Sequence, residues 1–261
     1  MSSNVVVELE VEDGVATITL NRPERKNALS IAMTHQLHNR WEQVDSDPAA
    51  KVVILTSSDC GVFCAGMDLK EAKEVKERDG TDILSLFKDP FNERMRQVKK
   101  PIIAAMTGSL MAGGMLLSLN SDLRVGLKGT KVGITEVKVG RGSPWAAPLL
   151  WMLPQPILME LVITGELLPI EQLAQYGFVN YLEDTPDAVR ARATALARTI
   201  VEGAPLSVMA AKASVLATMS LGCDQGFQEA LRLHEPVYAS EDAIEGPRAF
   251  AEKRDPQWRG R

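Results

Sequence analysis

Two short runs constrain the fold most: KVVILTSS (51–58) and PIIAAMTG (101–108). Each is continuously apolar over the length of a strand, with no polar residue at alternate positions. A strand with one face in water alternates apolar and polar residues; one without that alternation is buried on both faces. Strands buried on both faces belong to sheets whose parallel neighbours are joined by helical crossovers. The chain is therefore predicted to be α/β. A glycine-containing segment follows each run, DCGVFCAGMD after the first and GSLMAGGMLLSLNSD after the second.

The flanking segments fit that body. VVVELEV (5–11) and VATITL (15–20), separated by EDG, are predicted to form a hairpin. SIAMTHQLHNRWEQVDSDP carries apolar residues at helical spacing, with Ser30 as N-cap. KEAKEVKERDGTDILSLFKDPFNERMRQVKK reads as charged helix in two pieces, broken near Asp79–Gly80. DLRVGL and TKVGIT are short strand candidates. DCGVFCAGMD is expected as a loop, and GRGSPWAAPLLWMLP as a turn entering an apolar helix, with Ser143 as a cap. The Trp and Met residues of WMLPQPILMELV read as core. Beyond about residue 155 the chain is expected to be almost entirely helical.

Composition excludes several functions. With 261 residues, 45% apolar and 24% charged, the chain has the make-up of an ordinary globular protein. A net charge of −5 argues against a nucleic-acid partner. No apolar stretch approaches the roughly 20 residues of a spanning helix, so no membrane partner is expected. MSSNVVVELEVEDG lacks a basic region followed by an apolar run, so no signal peptide is expected. Three cysteines (Cys60, Cys64 and Cys223) give no disulfide framework and fit a reducing compartment, so a cytoplasmic location is expected. Cys60 and Cys64 lack the partners of a zinc site and read as free thiols. His35 and His38 read as a solvated helix face, and His234 as structural or near a subunit contact. No metal site is expected. GxxxxGK[ST] and GxSxG are absent, which leaves a phosphate loop and a nucleophile elbow unsupported.

The two glycine-containing turns carry the remaining signal. In FCAGMD (63–68) and MAGG (111–114), small residues stand where backbone approaches something closely. A helix starting near Gly113 offers unsatisfied N–H groups and the positive end of its dipole. With the Met67 N–H as a second donor, the pair makes an oxyanion hole. Tight packing of helix on strand is the alternative reading of the same glycines.

Four segments in order decide between them. VATITLNRPERKNAL, FCAGMDLKE, GSLMAGGMLLSLNSDLRV and EGPRAFAEKRDPQW resemble the N-terminal, first oxyanion, second oxyanion and C-terminal motifs of the crotonase, or enoyl-CoA hydratase/isomerase, family. The resemblance runs nearly end to end. It implies a ClpP/crotonase-like spiral of strand-strand-helix (ββα) repeats over 1–195, with a helical region over 196–261 that closes over CoA and builds homotrimers, often paired into hexamers. It implies an acyl-CoA substrate, with coenzyme A as part of that substrate and no other cofactor. The N–H groups of Met67 and Gly113 would grip the thioester oxygen. Lys26, Ala28, Ala65, Asp68, Leu69 and Lys70 would contact CoA, largely through backbone, and Phe250 and Lys253 would reach the CoA of a neighbouring subunit.

Hydratases of this family use two glutamates. The resemblance matches Glu136 to one, but Leu116 stands at the other. One carboxylate suits proton shuttling better than water addition, so the expectation is a β,γ- to α,β-enoyl-CoA isomerase with Glu136 as base. A hydratase or other lyase, and a silent acyl-CoA-binding subunit, are the alternatives. Burial beside Leu116 is expected to raise the Glu136 pKa. GRGSPWAAPLL departs from the family's glycine-rich turn. Trp145 there either walls the acyl pocket or packs in the core, and Arg141 pairs with an acidic substrate or with Glu136.

Overall fold

The structure is a computed structural model that describes residues 5–261. In chain order it contains β1 (Val7–Glu12), β2 (Val15–Leu20), α1 (Ile31–Ser46), β3 (Val52–Ser57), β4 (Val62–Cys64), α2 (Leu69–Asp79) and α3 (Glu93–Arg96). Next come β5 (Ile102–Met106), β6 (Ser109–Met111), α4 (Gly113–Leu119), β7 (Leu123–Leu127), β8 (Lys131–Gly133) and α5 (Gln155–Thr164). The chain ends with β9 (Leu168–Pro169), α6 (Ile170–Gln175), β10 (Tyr181–Glu183), α7 (Pro186–Val201), α8 (Pro205–Leu221), α9 (Cys223–Tyr238) and α10 (Asp242–Glu252).

Two sheets form, in the orders β1-β2-β3-β5-β7-β10 and β4-β6-β8-β9. Successive pairs β3/β4, β5/β6 and β7/β8 each give one strand to each sheet, and the chain then turns away. That is the expected spiral of ββα repeats. The predicted hairpin is present, with Val7 opposite Leu20, and β2, β3, β5, β7 and β10 run parallel.

Burial on both faces explains the two apolar runs. On β3, Val52 and Ile54 pack with Val189, Ala193 and Ala197 of α7, while Val53 and Leu55 turn into the main core. On β5, Ile103 and Ala105 join the α7 side and Ile102 and Ala104 the main core. Helix α7 therefore belongs to the sheet-bearing body. The expected boundary at residue 195 falls inside it, and the break into the helical region follows Val201.

Several local expectations are corrected. DCGVFCAGMD holds β4, and the glycine-rich segment begins with β6; both strands have three residues, too few for a visible alternation. For the same reason β9 and β10 escape the reading of the last third as helical. Gly80 ends α2 at φ 67, as expected, but the second helical piece shrinks to α3. Asp89 (φ 56), Pro90 and Asn92 (φ 51) break it. Ser143 makes no capping bond. Trp151 is 69% exposed and Met159 is also exposed, because Leu149, Leu158 and Leu161 take the inward positions of that stretch. His35 is exposed, but His38 is mostly covered, with its Nε2 3.4 Å from Glu42 and its Nδ1 3.8 Å from Asp89.

Candidate active site

The first turn is held by the loop after β2. The Leu29 N–H donates to the Gly66 carbonyl (2.7 Å), the Asp68 N–H to the Leu29 carbonyl (2.9 Å) and the Ala65 N–H to the Lys26 carbonyl (3.1 Å). Asn27, fully buried, fastens that loop. Its amide donates to the Ser58 and Val62 carbonyls (both 3.0 Å), and its Oδ1 accepts from the Arg22 N–H and the Ser58 hydroxyl (both 3.0 Å). Parallel pairing of Leu29 with Met67 uses the N–H groups of Leu29 and Asp68 and leaves that of Met67 on the other side.

Asp68 locks the same turn. It caps α2, accepting from the Lys70 and Glu71 N–H groups, and pairs with Arg22 (3.1 Å) and Arg25 (3.0 Å). Burial opposes the charge, but the Glu71 N–H and the two guanidinia outweigh it and hold the carboxyl below the usual aspartate range. The Asp68 side chain is thus occupied within the protein. Asp68→Ala strands two cations around a buried site and is expected to cost about 3 kcal/mol in a urea titration. The folded-state pKa is depressed. This stability is therefore fully present above the unfolded aspartate value of about 3.9 and is lost as pH falls through the folded value.

The second turn meets the first. Ala112, at φ 49 and ψ −113, stands immediately before α4 in a conformation rare for any residue with a Cβ. A Cβ placed on Gly66 would lie 2.6 Å from the Ala112 Cβ and 3.2 Å from the Gly113 nitrogen. One on Gly114 would lie 2.4 Å from the Cys64 carbonyl oxygen. Both readings of the glycines therefore hold: Gly114 serves close packing, and Gly66 lets the two turns converge. Neither the Met67 nor the Gly113 N–H donates to a protein acceptor among the described residues. Cys64, beneath them, is a core side chain, its thiol pushed up to about 12 by burial.

Met67, Ala112 and Gly113 line a cavity of about 170 Å³. Leu29, Ala65, Leu69, Leu84, Phe87 and Phe91 give it apolar walls. Leu116, in the first turn of α4 and 4% exposed, lies among its lining residues, as does Glu136. Glu136 opens a short 3-10 helix, Glu136–Val139, directly after β8. Its Oε1 accepts the Trp145 indole N–H at 3.1 Å. Its Oε2 is buried with no hydrogen-bond partner. Burial pushes the Glu136 carboxyl above the ordinary glutamate range, against the opposing hydrogen bonds from its own backbone and from Trp145.

Trp145 both lines this cavity and packs against the core, so the two expectations for it merge. Arg141 also lines the cavity, but it pairs with Asp82 at 2.6 Å rather than with Glu136. Asp82 caps the short 3-10 helix Ile83–Ser85: its Oδ1 accepts the Leu84 N–H at 2.9 Å, while its Oδ2 accepts from the Arg141 guanidinium. Lys26, in the loop after β2, and Leu69 and Lys70, which open α2, are exposed, and Ala28 is buried with its carbonyl accepting from Arg22 at 2.6 Å. Phe250, 87% exposed, and Lys253 lie at the end of α10 and do not line this chain's cavity. The sequence reading missed Asn27, Ala112 and Asp82. Only the NRPERKN stretch carried a signal for the first, as an asparagine in a tight loop.

A profile of the enoyl-CoA hydratase/isomerase family matches residues 10–261. The chain belongs to that family. It is 35% identical to the (E)-benzylidenesuccinyl-CoA hydratase of Thauera aromatica, over 97% of this chain and 99% of that one. It is 31% identical to the carnitinyl-CoA dehydratase of Proteus mirabilis, over 98% of each. The crystal structure of an enoyl-CoA hydratase from Mycobacterium tuberculosis H37Rv superposes with a TM-score of 0.87 at 37% identity, covering 99% of this chain and 100% of that one. An enoyl-CoA hydratase from Bacillus anthracis gives 0.91 at 28% identity, over 98% and 100%. The fold is thus that of the crotonases, and the protein is a crotonase-family acyl-CoA enzyme. Two backbone N–H groups without a protein acceptor among the described residues and a carboxyl raised by burial thus lie on one largely apolar cavity.

Proposed function

We propose that this enzyme isomerises β,γ-enoyl thioesters to α,β-enoyl thioesters with Glu136 as its only proton carrier. One observation carries the reading: Glu136 is the only acidic side chain lining the cavity among the described residues, and Leu116 supplies hydrocarbon instead of a second carboxylate. Ionised Glu136 takes the α-proton. The C–H electrons form a dienolate whose negative oxygen accepts from the Met67 and Gly113 N–H groups. Glu136 then returns the proton to the γ-carbon and the double bond moves. Lys26 and Lys70 supply cations for CoA phosphates.

The names of the relatives favour a second reading, hydration or dehydration. There the lone glutamate takes the α-proton of a β-hydroxyacyl thioester and delivers it to the departing hydroxyl, which leaves as water. Purified enzyme offered a β,γ-enoyl-CoA and, separately, crotonyl-CoA in water separates the two. Conjugated enoyl thioester forming in the first assay alone supports isomerisation, and loss of conjugation in the second supports hydration. Turnover of neither, with CoA still bound, overturns both in favour of a binding subunit.

The base must be ionised to act. Its raised pKa therefore puts the acid limb of kcat/KM above the ordinary glutamate range, with activity rising as pH climbs through it. A limb at or below the ordinary glutamate value of about 4.3 contradicts the assignment. The exposed apolar residues of the helical region, including Val215, Phe227 and Ile244, are proposed to pack in a homotrimer or a hexamer, which sedimentation equilibrium tests.

A further inference from the structure

The carboxylate of Glu136 is held unevenly. Oε1 receives the Trp145 indole N–H at 3.1 Å, while Oε2 is buried without a hydrogen-bond partner. The two residues are fastened to the same loop. The Gly140 and Arg141 N–H groups both donate to the Glu136 carbonyl, which folds the chain back before Pro144 starts the 3-10 helix that carries Trp145. Trp145 packs against the main core and is half-buried, so its N–H is a donor of fixed direction. An indole nitrogen donates only, and it therefore bonds to the oxygen that stays unprotonated.

We propose that Trp145 is a positioning residue that makes Oε1 the anchored oxygen of Glu136 and Oε2 the one that carries the proton. The proposal rests on the reading of Glu136 as the base. A carboxylate with two equivalent oxygens rotates about its terminal bond, a broad torsion. One held at Oε1 presents Oε2 to the α- and γ-carbons in a single orientation. The same bond favours the ionised form, so it limits how far burial raises the carboxyl and keeps enough base at neutral pH.

Trp145→Phe keeps a ring against the core and removes only the donor. In the turnover that the wild-type enzyme shows, kcat is expected to fall about 10-fold, the loss of one hydrogen bond to a charged group, with KM changed less than two-fold. The acid limb of the pH profile is expected to move to higher pH. A changed KM with an unmoved limb means that Trp145 only walls the pocket and overturns the proposal. So does a Trp145→Phe enzyme with wild-type kcat. A measurement on the intact wild-type chain covers the case in which the variant fails to fold. The Trp145 indole N–H resonance is expected to titrate with the Glu136 carboxyl and to stay still in Glu136→Gln; a resonance that does not move in the wild type overturns the contact. Full turnover by Glu136→Gln is a separate result that removes the base assignment itself, whereas a failure of Trp145 alone leaves that assignment intact.

Discussion

Glu136→Gln is expected to lower kcat by about 10²- to 10⁴-fold, the range general acid–base catalysis contributes, while KM stays within a few-fold. The amide keeps the shape of the side chain, and its oxygen can still accept the Trp145 N–H. What it loses is the capacity to take a proton. The cavity offers no substitute, since no aspartate, histidine or second glutamate lines it among the described residues. Removing a buried carboxyl whose charge is disfavoured in the fold is also expected to leave stability unchanged or slightly raised at neutral pH. The sign follows from linkage: a carboxyl whose pKa is raised on folding opposes folding once pH exceeds its unfolded value. A thermal melt beside the rate measurement therefore separates lost chemistry from lost structure. Wild-type kcat in the Gln variant would sink the mechanism.

Gly66→Ala is expected to cost about 10²- to 10³-fold in kcat, the loss typical of one oxyanion donor. Two independent reasons combine. Gly66 has φ 84, and its new methyl would meet the Ala112 Cβ at 2.6 Å. Neither atom is the end of a flexible side chain, so backbone must move. The turn that carries the Met67 N–H and the one that carries the Gly113 N–H are then pushed apart. A strained αL-type residue adds about 1–3 kcal/mol of destabilisation. Gly61→Ala is the control, because Gly61 also has positive φ (75) but a Cβ there meets nothing within 4 Å. It shares the strain and lacks the clash, so it is expected to lose stability and keep kcat. Equal kcat losses in both variants would show that the oxyanion geometry does not depend on the approach of the two turns.

The fold was legible where local pattern repeats. The unbroken apolar runs at 51–58 and 101–108 required strands covered on both sides, and α7 and the main core cover them. Ser30 marked the start of α1 because a hydroxyl accepting the Met33 N–H is a local arrangement. The three-residue strands β4 and β6 were not legible, since their pairing depends on neighbours about 47 positions away. The site was half legible. Motif order pointed to Met67, Gly113 and Glu136. The Arg141 partner was misjudged because Asp82, 59 residues earlier, leaves no trace in the sequence around Arg141.

Periodicity, glycine placement and motif order thus determined an α/β spiral, two turns rich in free backbone donors, and one carboxylate where two were possible. The tertiary structure alone decided that the turns meet, that Ala112 is strained where they do, and that Glu136 is buried with one oxygen bonded to Trp145 and one left open. The physical reason is range. Backbone pattern is set by residues a few positions apart, whereas desolvation and hydrogen-bond pairing depend on which distant segments the fold brings within about 3 Å of one another.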